Sequence, residues 1–376
     1  MNKSIYVFYG LILLLLNVSC MNKSGTKMKE LFIPAQDERF YYVARHLETE
    51  EGVMFSFPGS AINAKFTGST LSLYIKDFSE FIEDEMYTDM SNYLLVTIDD
   101  VASVRLRLKP DQEYYPITNN LKRGMHKLSV VKLTESVYGP VLFKGIGIEQ
   151  GKIMLEYSPK QRRILFFGNS ITSGYGVEAK SELVPANSSI QNAYMSYASV
   201  AGRLLHAECQ LIAYSGKGLA KNNDGSKFNT IPDFSNLVFP ENDSVRWDTS
   251  KFKPDVICLN LGTNDYFAGI EDSVFISTGV SFIDSLRKSY NEIPIILMLG
   301  PMLNDDEHYG GYSRCKKSLT EISRLSYKNG QKGVHFFELS QQDGSLGYGS
   351  NKHPSIEQQQ KNGEELAAFI KQLLEW

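Results

Sequence analysis

The chain has 376 residues, 42% of them apolar and 22% charged, the balance of a soluble globular protein. That length exceeds one ordinary core and points to two domains. A net charge of −4, with no cluster of Lys or Arg, excludes the electrostatic footprint of a nucleic-acid binder.

The first twenty residues read as a targeting segment. Lys3 supplies a positive start, Ile5–Leu16 is an apolar run too short to span a membrane, and the run closes on Leu16-Asn17-Val18-Ser19-Cys20. This ending resembles a bacterial lipoprotein cleavage site, with Cys20 as the lipidated residue. Asn17 stands where a Leu is usual, so cleavage without a lipid stays open as the alternative. Residues 21–35 are expected to form a tether. No acidic residue directly follows Cys20, which points to an exported protein anchored to a bacterial membrane and facing the periplasm. The membrane is expected to be touched only through that anchor.

From 36 to 157 the pattern is all-β. Alternating runs at Ala64–Phe66, Leu71–Ile75, Tyr93–Ile98, Val104–Leu108, Lys127–Lys132 and Val141–Ile148 are divided by turn signals such as Pro58-Gly59, Asp99-Asp100 and Gly139-Pro140. Many short strands at this spacing predict a two-sheet sandwich of jelly-roll type.

From 158 to 376 the pattern changes. Five near-continuous apolar strands are predicted at Arg163–Phe167, Cys209–Tyr214, Val256–Leu261, Ile295–Leu299 and Val334–Glu338. Helical periodicity lies near Asn192–His206, Ser273–Tyr290, Tyr312–Lys328 and Ser355–Leu374. Such alternation means an α/β domain of flavodoxin-like type, a five-stranded parallel sheet covered on both faces. Ligands in such sheets sit outside the carboxyl ends of the strands. A 2-1-3-4-5 strand order would keep Cys209 and Cys258 apart as free thiols. No Cys/His spacing suggests a metal site, and no cofactor is implied.

Four strand ends and loops carry the candidate chemistry. Strand one ends in Gly168-Asn169-Ser170, where a serine at a strand-to-helix turn exposes its hydroxyl and sets its N–H at a helix start. Strand two ends in Tyr214-Ser215-Gly216, and Gly216 can bring an N–H close to a ligand. Strand three ends in Gly262-Thr263-Asn264-Asp265, where Asn264 by itself reads as an Asx-turn but also offers a neutral amide donor suited to an oxyanion. Beyond strand five, His353-Pro354 opens the last helix and can reach the serine. Among the six histidines only His308 competes with His353 as base, because His206 and His335 read as structural and His46 and His126 belong to the β region.

Taken together, these blocks resemble the SGNH (GDSL) hydrolase superfamily over residues 160–376. The resemblance implies Ser170 as nucleophile, His353 as base, and Ser170, Gly216 and Asn264 as oxyanion donors. The first block departs in having Asn169 where Asp is usual. The preceding sandwich, with Phe57-Pro58-Gly59-Ser60, Gly145-Ile146-Gly147-Ile148 and Lys253-Pro254-Asp255, makes the chain resemble carbohydrate esterase family two, which deacetylates plant polysaccharides. The usual orienting Asp three residues before the His is replaced by Ser350. A dyad is therefore expected, with a backbone carbonyl near His353 accepting its Nδ1–H, as the resemblance allows. Asp343 and Asp265 stay open as orienting acids, and Asp265 also as a substrate contact.

The stretch Leu219–Lys251 is long for a connection in such a domain. Trp247 is expected to stack on a sugar there, or the stretch packs its own aromatics as a lid. The expected activity is hydrolysis of O-acetyl esters on xylan or glucomannan. Two other readings fit the same residues: a lipase or thioesterase for longer acyl chains, and a non-catalytic carbohydrate binder.

Overall fold

The computed structural model describes residues 30–79, 90–149, 152, 154–185, 187–306 and 311–376. Cys20 and His308 lie outside the described residues. Two antiparallel sheets come first. One runs in the order His46–Thr49, Gly52–Phe55, Val141–Glu149, Leu71–Asp77, Tyr114–Thr118, with Glu30–Pro34 also paired to Val141–Glu149. The other runs Met154–Leu155, Ala61–Thr67, Met125–Lys132, Tyr93–Ile98, Ala102–Arg107, with Tyr41–Val43 paired to Ala61–Thr67.

Strict alternation decides which side of each strand is buried. Along Met125–Lys132, residues His126, Leu128, Val130 and Lys132 are buried, whereas Met125 and Lys127 are exposed. Phe55, Leu73, Phe143 and Ile146 of one sheet meet Ile62, Phe66, Val96 and Val130 of the other in a single core. The strand Glu30–Pro34 falls inside the segment expected to be a tether to residue 35, so the sandwich takes in part of that segment.

The second domain holds five parallel strands: Arg162–Gly168, Ala207–Ala213, Val256–Asn260, Ile295–Leu299 and Val334–Glu338, here strands one to five. Their order is 2-1-3-4-5. Strand three lies between strands one and four, and all five of its residues are buried, which explains its unbroken apolar run. Helices Tyr197–Leu204 and Ile356–Leu374 cover one face through Tyr197, Ala201, Leu366 and Ile370. Helices Asp272–Tyr290 and Tyr312–Lys328 cover the other through Phe275, Phe282, Leu286 and Ile322. Cys209, Cys258 and Cys315 are free thiols.

That second core does not stop at the domain boundary. Val43 and Phe57 of the sandwich pack into it beside Leu165, Phe167 and Trp247. Arg45, 1% exposed, donates from one guanidinium nitrogen to the carbonyls of Ser235 (2.7 Å) and Leu237 (3.0 Å). Its guanidinium also faces the rings of Phe57 and Phe167.

The long connection after strand two folds on itself. It contains the short helix Ile231–Phe234 and a hairpin of Leu237–Phe239 with Asn242–Arg246. Phe234, Phe239 and Trp247 are buried, and only Phe228 of the four aromatics is exposed. Trp247 meets the His46 ring of the sandwich edge-on at 5.8 Å. A ring so enclosed has no face left for a sugar, which corrects the expected role of Trp247.

Candidate active site

Strand one delivers Ser170 through a tight elbow. A Cβ on Gly168 would stand 2.0 Å from the Thr172 hydroxyl oxygen, so only glycine lets the following helix fold back so closely. Asn169 takes an extended conformation, and its side chain accepts the Ile171 N–H at 3.1 Å, capping the short helix Ser170–Ser173. Capping uses the side-chain oxygen that Asn shares with Asp, so this departure from the usual motif costs little locally. Gln359 of the last helix donates to the Ile171 carbonyl at 2.9 Å and accepts the Tyr197 N–H at 2.7 Å. The helix that Ser170 opens is thus tied to both neighbouring helices.

His353 comes to this elbow from the loop before the last helix. Its Nε2 lies 2.8 Å from the Ser170 hydroxyl oxygen, and its Nδ1 lies 3.0 Å from the Ser350 carbonyl. With Nδ1 donating to that carbonyl, Nε2 is the acceptor that faces Ser170. The loop is fixed by main-chain and hydroxyl groups. Ser350 N–H donates to the Gly176 carbonyl at 3.0 Å, its hydroxyl donates to the Val184 carbonyl at 2.6 Å, and Gly349 N–H donates to the His353 carbonyl at 2.8 Å. Asn351 and Lys352 are both left-handed, at φ 50° and 57°, a strain on the order of 1 kcal/mol each. Such strain persists where surrounding contacts over-determine the chain, and it aims the ring at the serine.

Neither candidate orienting acid reaches the ring. Asp343 is exposed and accepts from the N–H and hydroxyl of Ser345. Asp265 is fully buried and accepts the N–H groups of Leu219, Ala220 and Lys221 at 2.9, 2.7 and 2.9 Å. This corrects both expected roles of Asp265, because its two oxygens are committed to pinning a loop. The Tyr175 ring, which sequence reasoning did not single out, lies against the imidazole at 4.4 Å. Burial pushes the His353 pKa down to about 4, so the ring is neutral, and able to take a proton, at neutral pH.

The three expected oxyanion donors gather at the same edge. Ser170 opens a helix, where first-turn N–H groups lack intrahelical acceptors. Gly216 sits at φ +77°, and a Cβ there would come 2.9 Å from the Asn223 side chain. Asn264 is 8% exposed, and its Nδ2 donates to the Lys217 carbonyl at 2.7 Å, leaving the second amide hydrogen for a ligand. Glu135, from the sandwich, accepts both the N–H and the hydroxyl of Ser215 at 2.7 Å each. No sequence signal marked it, since a lone acid after an alternating strand looks like any turn residue.

A serine, a neutral imidazole and clustered N–H donors at the carboxyl edge of a 2-1-3-4-5 sheet define a class, the GDSL-like hydrolases. The GDSL-like Lipase/Acylhydrolase family model matches residues 166–361, and the Carbohydrate esterase 2 N-terminal model matches residues 44–157. A family two carbohydrate esterase from Clostridium thermocellum, solved in complex with cellohexaose, is similar at 31% identity and TM-score 0.82, over 90% of this chain and 99% of that one. The chain belongs to carbohydrate esterase family two, a family of carboxylic ester hydrolases. The cellulase/esterase CelE of Acetivibrio thermocellus is 33% identical over 86% of this chain, which spans only 38% of that protein's length. An acetylxylan esterase / glucomannan deacetylase of Cellvibrio japonicus is 23% identical, with 95% of each chain covered.

Proposed function

We propose that this chain removes O-acetyl groups from a plant-type polysaccharide or oligosaccharide, such as xylan or glucomannan, through a Ser170–His353 dyad. The relay from Ser170 Oγ to His353 Nε2, and from His353 Nδ1 to the Ser350 carbonyl, is the observation that carries the reading. His353 takes the Ser170 proton as Oγ attacks the acetyl carbonyl. The negative charge that develops falls to Ser170 N–H, Gly216 N–H and Asn264 Nδ2. His353 then gives its proton to the departing sugar oxygen, and water, deprotonated by His353, releases acetate. The Ser350 carbonyl keeps the reactive tautomer in place, the task an aspartate performs in the serine-protease triad.

Substrate choice is supported by the relatives: one was solved with cellohexaose bound, and another is named for xylan and glucomannan. Release of acetate from acetylated xylan, glucomannan and peptidoglycan, set beside p-nitrophenyl esters of rising chain length, tests it. Acetate release from a plant polysaccharide is expected, with activity falling as the acyl chain lengthens. Activity that rises with chain length would assign the site to lipids or thioesters, and no hydrolysis at all would leave a binding protein. The proposal includes a lipid anchor at Cys20 facing the periplasm, tested by mass spectrometry of the mature N-terminus from membranes.

A further inference from the structure

Glu135 belongs to the sandwich, three residues beyond the strand Met125–Lys132, yet its carboxylate ends at the catalytic edge of the other domain. It is 1% exposed. Both oxygens are taken by one residue, Ser215, through its N–H and its hydroxyl at 2.7 Å each. The turn that carries Glu135 is itself fixed. The buried Lys132 amine donates to the Thr134 and Glu135 carbonyls at 2.8 and 3.0 Å, and the Thr134 hydroxyl donates to Asn92 at 2.6 Å. The Leu133 carbonyl accepts the Ala193 N–H of the second domain at 2.9 Å.

What Ser215 leads into gives the contact its meaning. The next residue is Gly216, whose N–H is one oxyanion donor. The one after is Lys217, whose carbonyl accepts from Asn264 Nδ2 and so sets the direction of another. Glycine at φ +77° is a free pivot unless its neighbours are held. Asn223 N–H holds the Gly216 carbonyl at 2.9 Å, and Asp265 holds residues 219–221, so the far side of the loop is anchored. On the near side, Glu135 takes both the N–H and the hydroxyl of Ser215.

We infer that Glu135 is a positioning residue of the sandwich domain that presets the oxyanion donors Gly216 and Asn264 through Ser215. The sandwich thereby completes the active site through a side chain that is itself buried. A buried carboxylate costs desolvation, and two short charge-assisted hydrogen bonds to one serine offset that cost only where the geometry is fixed. Burial, with the nearby Glu241, holds its pKa above the ordinary value, and the Ser215 donors and Lys132 pull it back only in part.

The inference rests on the assignment of Ser170 as nucleophile, and the test separates the two. Purified Glu135→Ala is assayed with p-nitrophenyl acetate and titrated with phenylboronic acid, which forms a tetrahedral adduct on a nucleophilic serine. Losing one oxyanion donor outright costs about 10²–10³ in kcat, so misplacing the pair is expected to lower kcat roughly 10- to 100-fold with KM within about twofold. Boronate affinity should fall by a similar factor. Glu135→Gln, which can still accept the Ser215 N–H, should restore most of both. If Glu135→Ala does not fold, Glu135→Asp, whose carboxylate is withdrawn by one methylene, takes its place with the same readouts. Wild-type kcat in a folded variant, a loss confined to KM, or an unchanged boronate affinity overturns the positioning role. Full activity in Ser170→Ala would instead overturn the nucleophile.

Discussion

Two loops meet at the serine, and they are held by opposite means. The loop from Ser215 to Asn223 is gripped by two buried carboxylates, Glu135 at its start and Asp265 at its middle. The loop from Ser350 to His353 is held by carbonyls, a hydroxyl and two left-handed residues, with no charged group on the imidazole among the described residues. The difference follows from what each loop must do. Oxyanion donors gain from rigid placement, and charge-assisted bonds at a distance from the reacting atoms supply it. A base gains from staying neutral until the moment of transfer, and a carboxylate beside it would raise its pKa.

Removing the reacting groups should have the largest effect and would break the comparison at its centre. Ser170→Ala and His353→Ala are each expected to lower kcat for acetate release by about 10⁴ or more, with the fold kept by circular dichroism. Residual turnover near wild type in either would mean that the two loops frame some other chemistry.

Asp265→Ala sharpens the carboxylate side. Three backbone donors lose their acceptor, each costing about 1–3 kcal/mol when left buried and unpaired. A drop in stability of at least about 2 kcal/mol in urea titration is expected, with kcat falling in parallel as the loop loosens. Unchanged stability would show that the loop is held without it.

The pH dependence probes the neutral side. With the His353 pKa held down at about 4, kcat/KM should stay level from pH 7 to pH 5 and fall by half near pH 4. Stability shifts in the same direction. The unfolded imidazole takes up a proton near pH 6.5 and the folded one only near pH 4, so the folded state loses stability as pH drops through that window, and this group changes nothing above it. A rate profile that breaks between pH 6 and 7 would mean that burial does not hold the imidazole pKa down.

The smallest effect is expected at Ser350. Its carbonyl, which a substitution leaves in place, holds His353, while its hydroxyl serves only Val184. Ser350→Ala should cost less than about tenfold in kcat. Ser350→Asp should not improve catalysis, since a carboxylate there would face the Val184 carbonyl. A gain in that variant would show the loop to be a damaged triad.

The parallel sheet was the most legible part of the chain, because strands buried on both faces read as unbroken apolar runs. Strands four and five and the helix Tyr312–Lys328 lie where the pattern put them. In the sandwich, the strands with clear alternation were found and the short ones were not. Tyr114–Thr118, at a sheet edge, carries Pro116, and Tyr41–Val43 has three residues, too few to show a period. Ser170, Gly216, Asn264 and His353 are each ambiguous singly, as turn or cap residues at element ends, and stood out only through their order, which resembles the SGNH blocks. The expectation that a backbone carbonyl near His353 takes the second imidazole proton agrees with the position of Ser350. Trp247 and Asp265 were misread for one reason: a polar or aromatic residue near a strand end can serve a loop's own packing as well as a ligand. Glu135 was invisible because its partner lies 80 residues away.

The core shared by Val43, Phe57 and Arg45 with the parallel sheet bears on how the chain comes apart. Cutting between the domains would bare an apolar face on one side and strand the Ser235 and Leu237 carbonyls on the other. Neither half keeps its own boundary, so heat or denaturant should melt the molecule in one cooperative step rather than two. A gene fragment encoding the serine, the histidine and every oxyanion donor, but not the sandwich, would make an insoluble polypeptide.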